Sequence, residues 1–125
     1  MFANPHGLHL GMGTYSTEEA FLTLASMHTG VLSLAETNIN WDHPSAKPKL
    51  HNITRKVWKH SSVAFSHTSE KFKDLNQPGG TLMMACGDWT SRVIEKGVDP
   101  YGLGGWSHLV LRGKNNIKIL IVSVY

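Results

Sequence analysis

Apolar and polar residues alternate along the chain with a helical period in some segments and a strand period in others. Helices are predicted at two places, from the capping-box pattern at 16–19 onward and over about 48–60. Strands are predicted over five runs rich in apolar residues: Val31–Ala35, 63–65, Thr81–Cys86, Trp106–Arg112 and 117–124. Helices interspersed with strands in this way favour an α/β layered fold over an all-α or all-β one.

The first helix is expected to pack one apolar stripe against the rest of the protein. Ala20, Phe21, Leu24 and Met27 form this stripe, because they lie at three- and four-residue spacings. Gly30 is expected to end the helix.

The last two strand-like runs are joined by 113–116, whose glycine, lysine and two asparagines predict the turn of an antiparallel hairpin. The run 117–124 is nearly all apolar, so we expect it in the centre of a sheet. Only Tyr125 follows this run, whereas chain termini usually lie in dispensable surface segments. We therefore expect either a fragment of a larger domain or a gene model that was cut short.

The chain has 125 residues, which suits one domain unit over 1–125. Its apolar fraction of 41% is that of a globular protein, and no run approaches the roughly 20 apolar residues that span a bilayer. The amino terminus lacks the features of a secretory signal, so we expect an intracellular protein, with the nucleus as one option. The net charge of +3 permits a nucleic-acid partner without requiring one.

Several residues that could carry chemistry are interpreted as structural. Cys86 is the only cysteine and sits in an apolar run, which favours a core position over a nucleophile. The eight histidines include His6 and His9, but no supporting zinc motif accompanies them. The four tryptophans are interpreted as core residues, with base stacking as the alternative. The second helix has a basic face, interpreted as solvated surface with nucleic-acid contact as the alternative: Lys49, Arg55, Lys56 and Lys59.

Glu36 is the strongest candidate for a functional residue. It directly follows the buried run Val31–Ala35 and precedes a polar segment that contains Thr37 and Asn38. The ends of strands in α/β folds are where binding sites lie. From the pattern alone Glu36 is either a hydrogen-bond acceptor of the loop or a catalytic carboxylate, and both interpretations stay open.

Five motifs, in order along the chain, resemble the amino-terminal part of the endonuclease/exonuclease/phosphatase (DNase I-like) family. The first is Asn4 followed after two residues by Gly-Leu, and the second is the apolar strand that delivers Glu36 and Thr37. The others are the Gly-Gly opening at 77–81, the segment 99–107, and the strand 121–125 that ends in Tyr125. Together they are most similar to the versions attached to reverse transcriptases of mobile elements.

The resemblance implies a partial four-layer α/β sandwich of two mixed β-sheets flanked by helices, truncated at the carboxyl terminus. It also implies a metal-dependent phosphodiesterase or endonuclease that uses Mg²⁺, with Mn²⁺ as the alternative, and acts on nucleic acid, DNA being favoured. In that chemistry Glu36 would be the metal ligand. Asn4 would position metal-bound or phosphate-bound groups, and Tyr125 would hydrogen-bond the phosphate.

The chain also departs from the family pattern. The later Asp-x-Asn and Asp-His pairs of the family have no counterparts, Ala35 stands where Gln is usual, and Gly105 stands where related sequences often have Arg or Lys. We therefore expect the chain alone to be inactive as a nuclease. The alternative function is a non-catalytic remnant that binds nucleic acid or a partner.

Overall fold

The structure is a computed structural model that describes residues 1–10, 15–70 and 73–125. In that part of the chain, a layer of two helices covers a four-stranded sheet, which packs in turn on a three-stranded sheet. The helices are α1 (Tyr15–Ser26) and α2 (Ala46–Trp58). The strands are β1 (Phe2–Ala3), β2 (Val31–Ala35), β3 (Ser61–Ser66), β4 (Thr81–Cys86), β5 (Val93–Val98), β6 (Trp106–Arg112) and β7 (Lys118–Val124).

The first sheet has the strand order β1-β2-β4-β3 and is mixed, since β1 runs parallel to β2 while β4 runs antiparallel to both its neighbours. Its middle strand β4 is buried at all six positions because its two faces belong to two different cores. Leu82 and Met84 face the helices. Met83 and Ala85 face the second sheet. The strands predicted over Val31–Ala35 and Thr81–Cys86 are therefore confirmed.

The stripe that α1 buries differs from the predicted one. Phe21 is 2% exposed and packs in the core, with Leu24 partly buried beside it. Ala20 is exposed, and Met27 is 59% exposed. Thr17 takes the place expected for an apolar residue and donates its hydroxyl to the His9 carbonyl at 2.8 Å. The helix is thus rotated so that 17, 21 and 24 face the core.

Both ends of α1 also differ from the prediction. Ser16 lies within the first turn rather than at the cap, because the helix already begins at Tyr15. The helix ends before Gly30, since His28 adopts φ +57°. The Thr29 amide then bonds the Leu24 carbonyl at 3.1 Å, and the His28 amide bonds the Ala25 carbonyl at 3.0 Å, the pattern of a Schellman motif.

The second helix lies two residues earlier at each end than predicted. Leu50 and Ile53 are buried on its inner face, as expected. Lys59 takes φ +63° immediately after the last turn and so ends the helix. No helix among the described residues is long and apolar enough to cross a membrane.

The second sheet has the order β5-β6-β7 and is antiparallel throughout. The predicted hairpin is confirmed, with β6 and β7 paired from Trp106–Val124 to Arg112–Lys118. Leu109 and Leu111 of β6 face the first sheet and are at most 1% exposed. The sheets are also joined by a hydrogen bond of 2.8 Å from the Thr81 hydroxyl to the Ser107 hydroxyl.

The prediction that the last strand is central is wrong for the described structure. β7 is the edge strand of its sheet, and Leu120 and Val124 are each 62% exposed. An apolar run shows that a strand is suited to burial. Actual burial also requires a second neighbouring strand and a layer of structure over the outer face of the sheet. Among the described residues, no strand or helix occupies those positions.

Candidate active site

Glu36 lies at the rim of the first sheet, directly after β2. It adopts φ +51°, and Asn38 adopts φ +53°, both in the left-handed region that non-glycine residues rarely occupy. The opening of β4 fixes this turn, because the Thr37 amide bonds the Gly80 carbonyl at 3.1 Å. Such strained residues persist where surrounding structure over-determines them, and they cluster at functional sites.

Asn38 ties the same turn to Gly79 through two hydrogen bonds. Its backbone amide bonds the Gly79 carbonyl at 2.8 Å, and its side-chain Oδ1 accepts from the Gly79 amide at 2.8 Å. Gly79 itself has φ +78°, and a β-carbon there would lie 3.3 Å from the ring of Tyr125. The glycine therefore lets the tyrosine ring lie directly against the turn.

Asn4 reaches Glu36 because β1 and β2 are parallel. Phe2 pairs with Ser33 and Ala3 with Leu34, so the two strands end at the same edge of the sheet. The Asn4 side chain hydrogen-bonds the Glu36 carboxylate. Its Oδ1 already accepts the His6 amide at 3.0 Å, so the side-chain NH₂ is the group that donates to Glu36.

Tyr125 comes to the same place from the second sheet. Its amide bonds the Gly105 carbonyl at 2.8 Å, which continues the pairing of β6 with β7 to the rim. Its side chain hydrogen-bonds the Glu36 carboxylate. The structure thus brings together Asn4, Glu36 and Tyr125, although they are far apart in sequence. Their catalytic roles stay a prediction.

His6 is a fourth member of this group that the sequence analysis did not place there. Its Nδ1 lies 2.9 Å from Glu36 Oε2, and its side chain is 81% exposed while that of Glu36 is 24% exposed. The ring reaches back because His6 adopts φ +50°. The signal in the sequence was its position two residues after Asn4, on the segment that leaves a strand parallel to β2.

These neighbours keep Glu36 ionised. The pKa of Glu36 lies below its ordinary value, first because of the hydrogen bond from Asn4 and then because of the hydrogen bond and charge of His6, with a smaller contribution from Tyr125. Partial removal from water acts in the opposite direction but is outweighed. A carboxylate held anionic by three polar neighbours at a sheet rim can attract a cation.

Comparisons with known proteins identify this architecture. The sequence matches no protein-family model and no curated protein. The structure matches an endonuclease/exonuclease/phosphatase family protein from Leptotrichia buccalis C-1013-b with a TM-score of 0.66 at 10% sequence identity. The two proteins share a fold. The match covers 99% of this chain and 52% of that one, so this chain spans about half the length of its structural neighbour.

Asp99 holds the loop that leads to Gly105 at the rim. Its Oδ1 accepts the Tyr101 amide at 2.9 Å, and its Oδ2 accepts the Leu103 amide at 3.0 Å and the Gly105 amide at 3.3 Å. Burial acts to raise the pKa of Asp99, but these amides outweigh it and hold the pKa below its ordinary value. Because the Gly105 carbonyl receives the Tyr125 amide, Asp99 supports the position of Tyr125.

Cys86, Trp41 and Trp58 are structural in this fold, whereas Trp89 is 38% exposed, contrary to the core position predicted for it. Cys86 is 2% exposed, and burial raises the pKa of its thiol to about 12, which confirms a core position. Trp41 is 1% exposed, and Trp58 packs on Phe21 with ring centroids 5.3 Å apart. On the predicted basic face of α2, the charge of Lys56 is neutralised by an ion pair with Glu18 at 3.0 Å.

The oxygen atoms at the rim are of the kind that binds a hard divalent cation, but they are few. Glu36 offers carboxylate oxygens and Asn4 an amide oxygen, which suit Mg²⁺ better than softer metals. Among the described residues, no three His, Cys, Asp or Glu side chains are grouped closely enough to hold a metal. Mg²⁺ usually keeps several waters and needs only one or two carboxylates, so Glu36 could hold it weakly.

Proposed function

We propose that this chain supplies part of the active site of a metal-dependent phosphodiesterase that cleaves nucleic acid, with DNA as the favoured substrate. The observation that carries the proposal is the convergence of Asn4, Glu36 and Tyr125 on one rim. The fold shared with an endonuclease/exonuclease/phosphatase family protein supports it. The association with reverse transcriptases of mobile elements is a finer proposal that rests on the sequence motifs.

Each residue has a role that follows from its contacts. Glu36, ionised at neutral pH, would hold Mg²⁺ or Mn²⁺, and the bound cation would polarise the phosphoryl oxygens and offset the charge that develops on them. The Asn4 amide orients the Glu36 carboxylate by donating to it. The Tyr125 hydroxyl, 61% exposed as a residue, is available to donate to a phosphate that replaces its bond to Glu36.

A metal-binding measurement tests this proposal. Mn²⁺ should broaden the backbone amide NMR signals of Asn4, Glu36 and Tyr125 through its unpaired electrons, and Mg²⁺ in excess should reverse the broadening. Glu36→Gln keeps the shape of the side chain but removes its charge, so the broadening should be lost. Glu95→Gln is the matched control, because Glu95 also contacts a histidine, His108, at 3.5 Å. Equal broadening in wild type and Glu36→Gln would contradict the proposal.

The alternative is a binding module without catalysis. It is favoured by the small number of ligands at the rim, since no three His, Cys, Asp or Glu side chains among the described residues are grouped closely enough to hold a metal. We accordingly expect no plasmid nicking by the chain alone in Mg²⁺. Nicking by wild type that disappears in Glu36→Ala would show instead that the chain is a competent enzyme.

A further inference from the structure

A groove runs along the free edge of β3, and none of its lining residues belongs to the candidate active site. It consists of two adjoining cavities of about 620 and 530 Å³, which share His51 of α2 and Ser61 of β3. β3 is the last strand of its sheet, so one edge of its backbone is unpaired by the described strands. We refer to the two cavities together as the β3 groove.

The β3 groove has an excess of positive charge. Lys47 and Lys59 come from the two ends of α2, and Lys96 comes from β5 on the opposite wall. Among the described residues, none of these three ammonium groups has a carboxylate within ion-pair distance. Asp88 is the one acidic side chain that lines either cavity.

The floor of the groove is aromatic at one end. Phe65 lines the second cavity, and the Lys47 ammonium lies 5.7 Å from the centre of its ring. The other face of Phe65 packs on the buried Trp41, with ring centroids 4.5 Å apart, so the ring is held in place. Lysines beside a fixed aromatic ring are the elements with which proteins bind single-stranded nucleic acid.

The register of the first sheet shows where the groove leads. Ala35, Thr81 and Ser66 lie in one row across β2, β4 and β3. Strands are spaced about 4.8 Å apart, so the end of β3 lies roughly 10 Å from the strand end that carries Glu36. From Ser61 to Phe65 the groove follows roughly 14 Å of strand, which corresponds to about four nucleotides at ~3.4 Å each.

We propose that the β3 groove binds the phosphate backbone of a nucleic-acid strand that continues from the candidate active site. The lysines contact phosphates from both walls, and the partly exposed edge of the Phe65 ring contacts a sugar or base. The direction of the strand rests on the proposed function, whereas binding in the groove does not, because no groove residue contacts Glu36. The competing occupant is an acidic peptide that adds a strand to the β3 edge. We favour nucleic acid because one end of the groove reaches the rim that carries Glu36.

Fluorescence anisotropy of a labelled oligothymidine of about 12 nucleotides tests the proposal on the full chain. The triple variant Lys47→Gln/Lys59→Gln/Lys96→Gln should bind at least about tenfold more weakly than wild type. The slope of log affinity against log salt should fall by about 2, since each phosphate contact to a single strand contributes about 0.7. An oligouridine of the same length reports whether RNA is bound equally well.

Controls separate the groove from general charge and from the active site. Arg112→Gln/Lys114→Gln/Lys118→Gln removes the same charge at the far end of the β6–β7 hairpin and should change affinity less than twofold. The loss in the groove variant should be the same in EDTA as in Mg²⁺, because the groove lysines bind phosphate without the metal proposed at Glu36. Equal losses in both triple variants would overturn the proposal. Equally tight binding of an oligoglutamate peptide, displaced by the oligonucleotide, would assign the groove to acidic peptides instead.

Discussion

The two sheets are built from strands of similar apolar content but have different surroundings. The first sheet is covered on both faces, so that Leu82, Met83 and Met84 of β4 are fully buried. The second sheet is covered on its inner face alone, and the outward side chains of β7, such as Leu120 and Val124, are each 62% exposed. The comparison shows that burial of a strand depends on its place in the layers as much as on its sequence.

The candidate active site lies where these unlike sheets meet. Asn4 and Glu36 come from the well-covered sheet, and Tyr125 comes from the end of the exposed edge strand. The first two are therefore held by a buried framework. Tyr125 depends on the Gly105 carbonyl and, through it, on the loop that Asp99 organises.

Removing a matched leucine from each sheet should give the largest contrast. Leu82→Ala deletes a side chain that is 0% exposed and should lower the free energy of unfolding by about 2–5 kcal/mol. Leu120→Ala deletes one that is 62% exposed and should change it by less than about 0.5 kcal/mol. Urea denaturation followed by tryptophan fluorescence measures both. Similar losses would mean that the outer face of the second sheet is covered in solution.

A glycine that precedes a strand of each sheet offers a second, smaller contrast in unfolding free energy. A β-carbon at Gly30, just before β2, would lie 2.3 Å from Nε1 of Trp89, so the indole must shift. Gly30→Ala should therefore cost about 1–3 kcal/mol in unfolding free energy. At Gly105, before β6, the nearest atom would be Asp99 Oδ2 at 3.9 Å, an ordinary contact. Gly105→Ala should cost less than about 0.5 kcal/mol, and a larger loss there would contradict the packing described.

The Asp99 loop should make the stability of the second sheet depend on pH. Because the pKa of Asp99 is depressed in the folded protein, its contribution is present above the unfolded pKa of about 3.9 and is lost as pH falls through the folded pKa. Asp99→Asn should lower the melting temperature at pH 7, because the amide side chain cannot accept the loop's backbone N–H groups with a full charge. The difference from wild type should shrink below about pH 4, and calorimetry across that range measures it. A difference that is constant with pH would exclude the carboxylate as its source.

The smallest effect on stability is expected on the outer face of β7, where solubility should change instead. Leu120→Lys places a charge on an exposed position of an edge strand, which disfavours edge-to-edge association. The free energy of unfolding should stay within about 0.5 kcal/mol of wild type, while the concentration at which the protein aggregates rises. Light scattering during concentration gives the readout. Unchanged aggregation would show that another surface is responsible.

Much of the fold could be predicted because its signals are local. The bounds of β2, β4 and β6 followed from apolar runs and flanking glycines, and the hairpin followed from its turn residues. The facing of α1 and the edge position of β7 could not be predicted, because they depend on which elements pack against them. The ending of α1 at His28 was missed because a histidine there takes a left-handed conformation usually left to glycine.

Some residues of the candidate site could likewise be predicted from the sequence, and others could not. Glu36 was identifiable because it ends a buried strand, and Asn4 and Tyr125 were found through the motif resemblance. His6 and Asp99 were missed as members of the site, since their partners are set by tertiary contacts: His6 meets Glu36 across 30 positions of sequence, and Asp99 acts through backbone amides. No composition or spacing rule reports such contacts.

Convergence of side chains from both sheets on Glu36 is the claim on which the proposed function rests. The most direct test is the pKa of the Glu36 carboxyl, measured by carbon-detected NMR in wild type, Asn4→Ala, Tyr125→Phe and the control Tyr101→Phe, whose ring is 82% exposed. We predict a pKa below the ordinary glutamate value in wild type. It should rise most in Asn4→Ala, rise less in Tyr125→Phe and stay unchanged in the control. An ordinary pKa in wild type, or one that neither Asn4→Ala nor Tyr125→Phe changes, would contradict the claim.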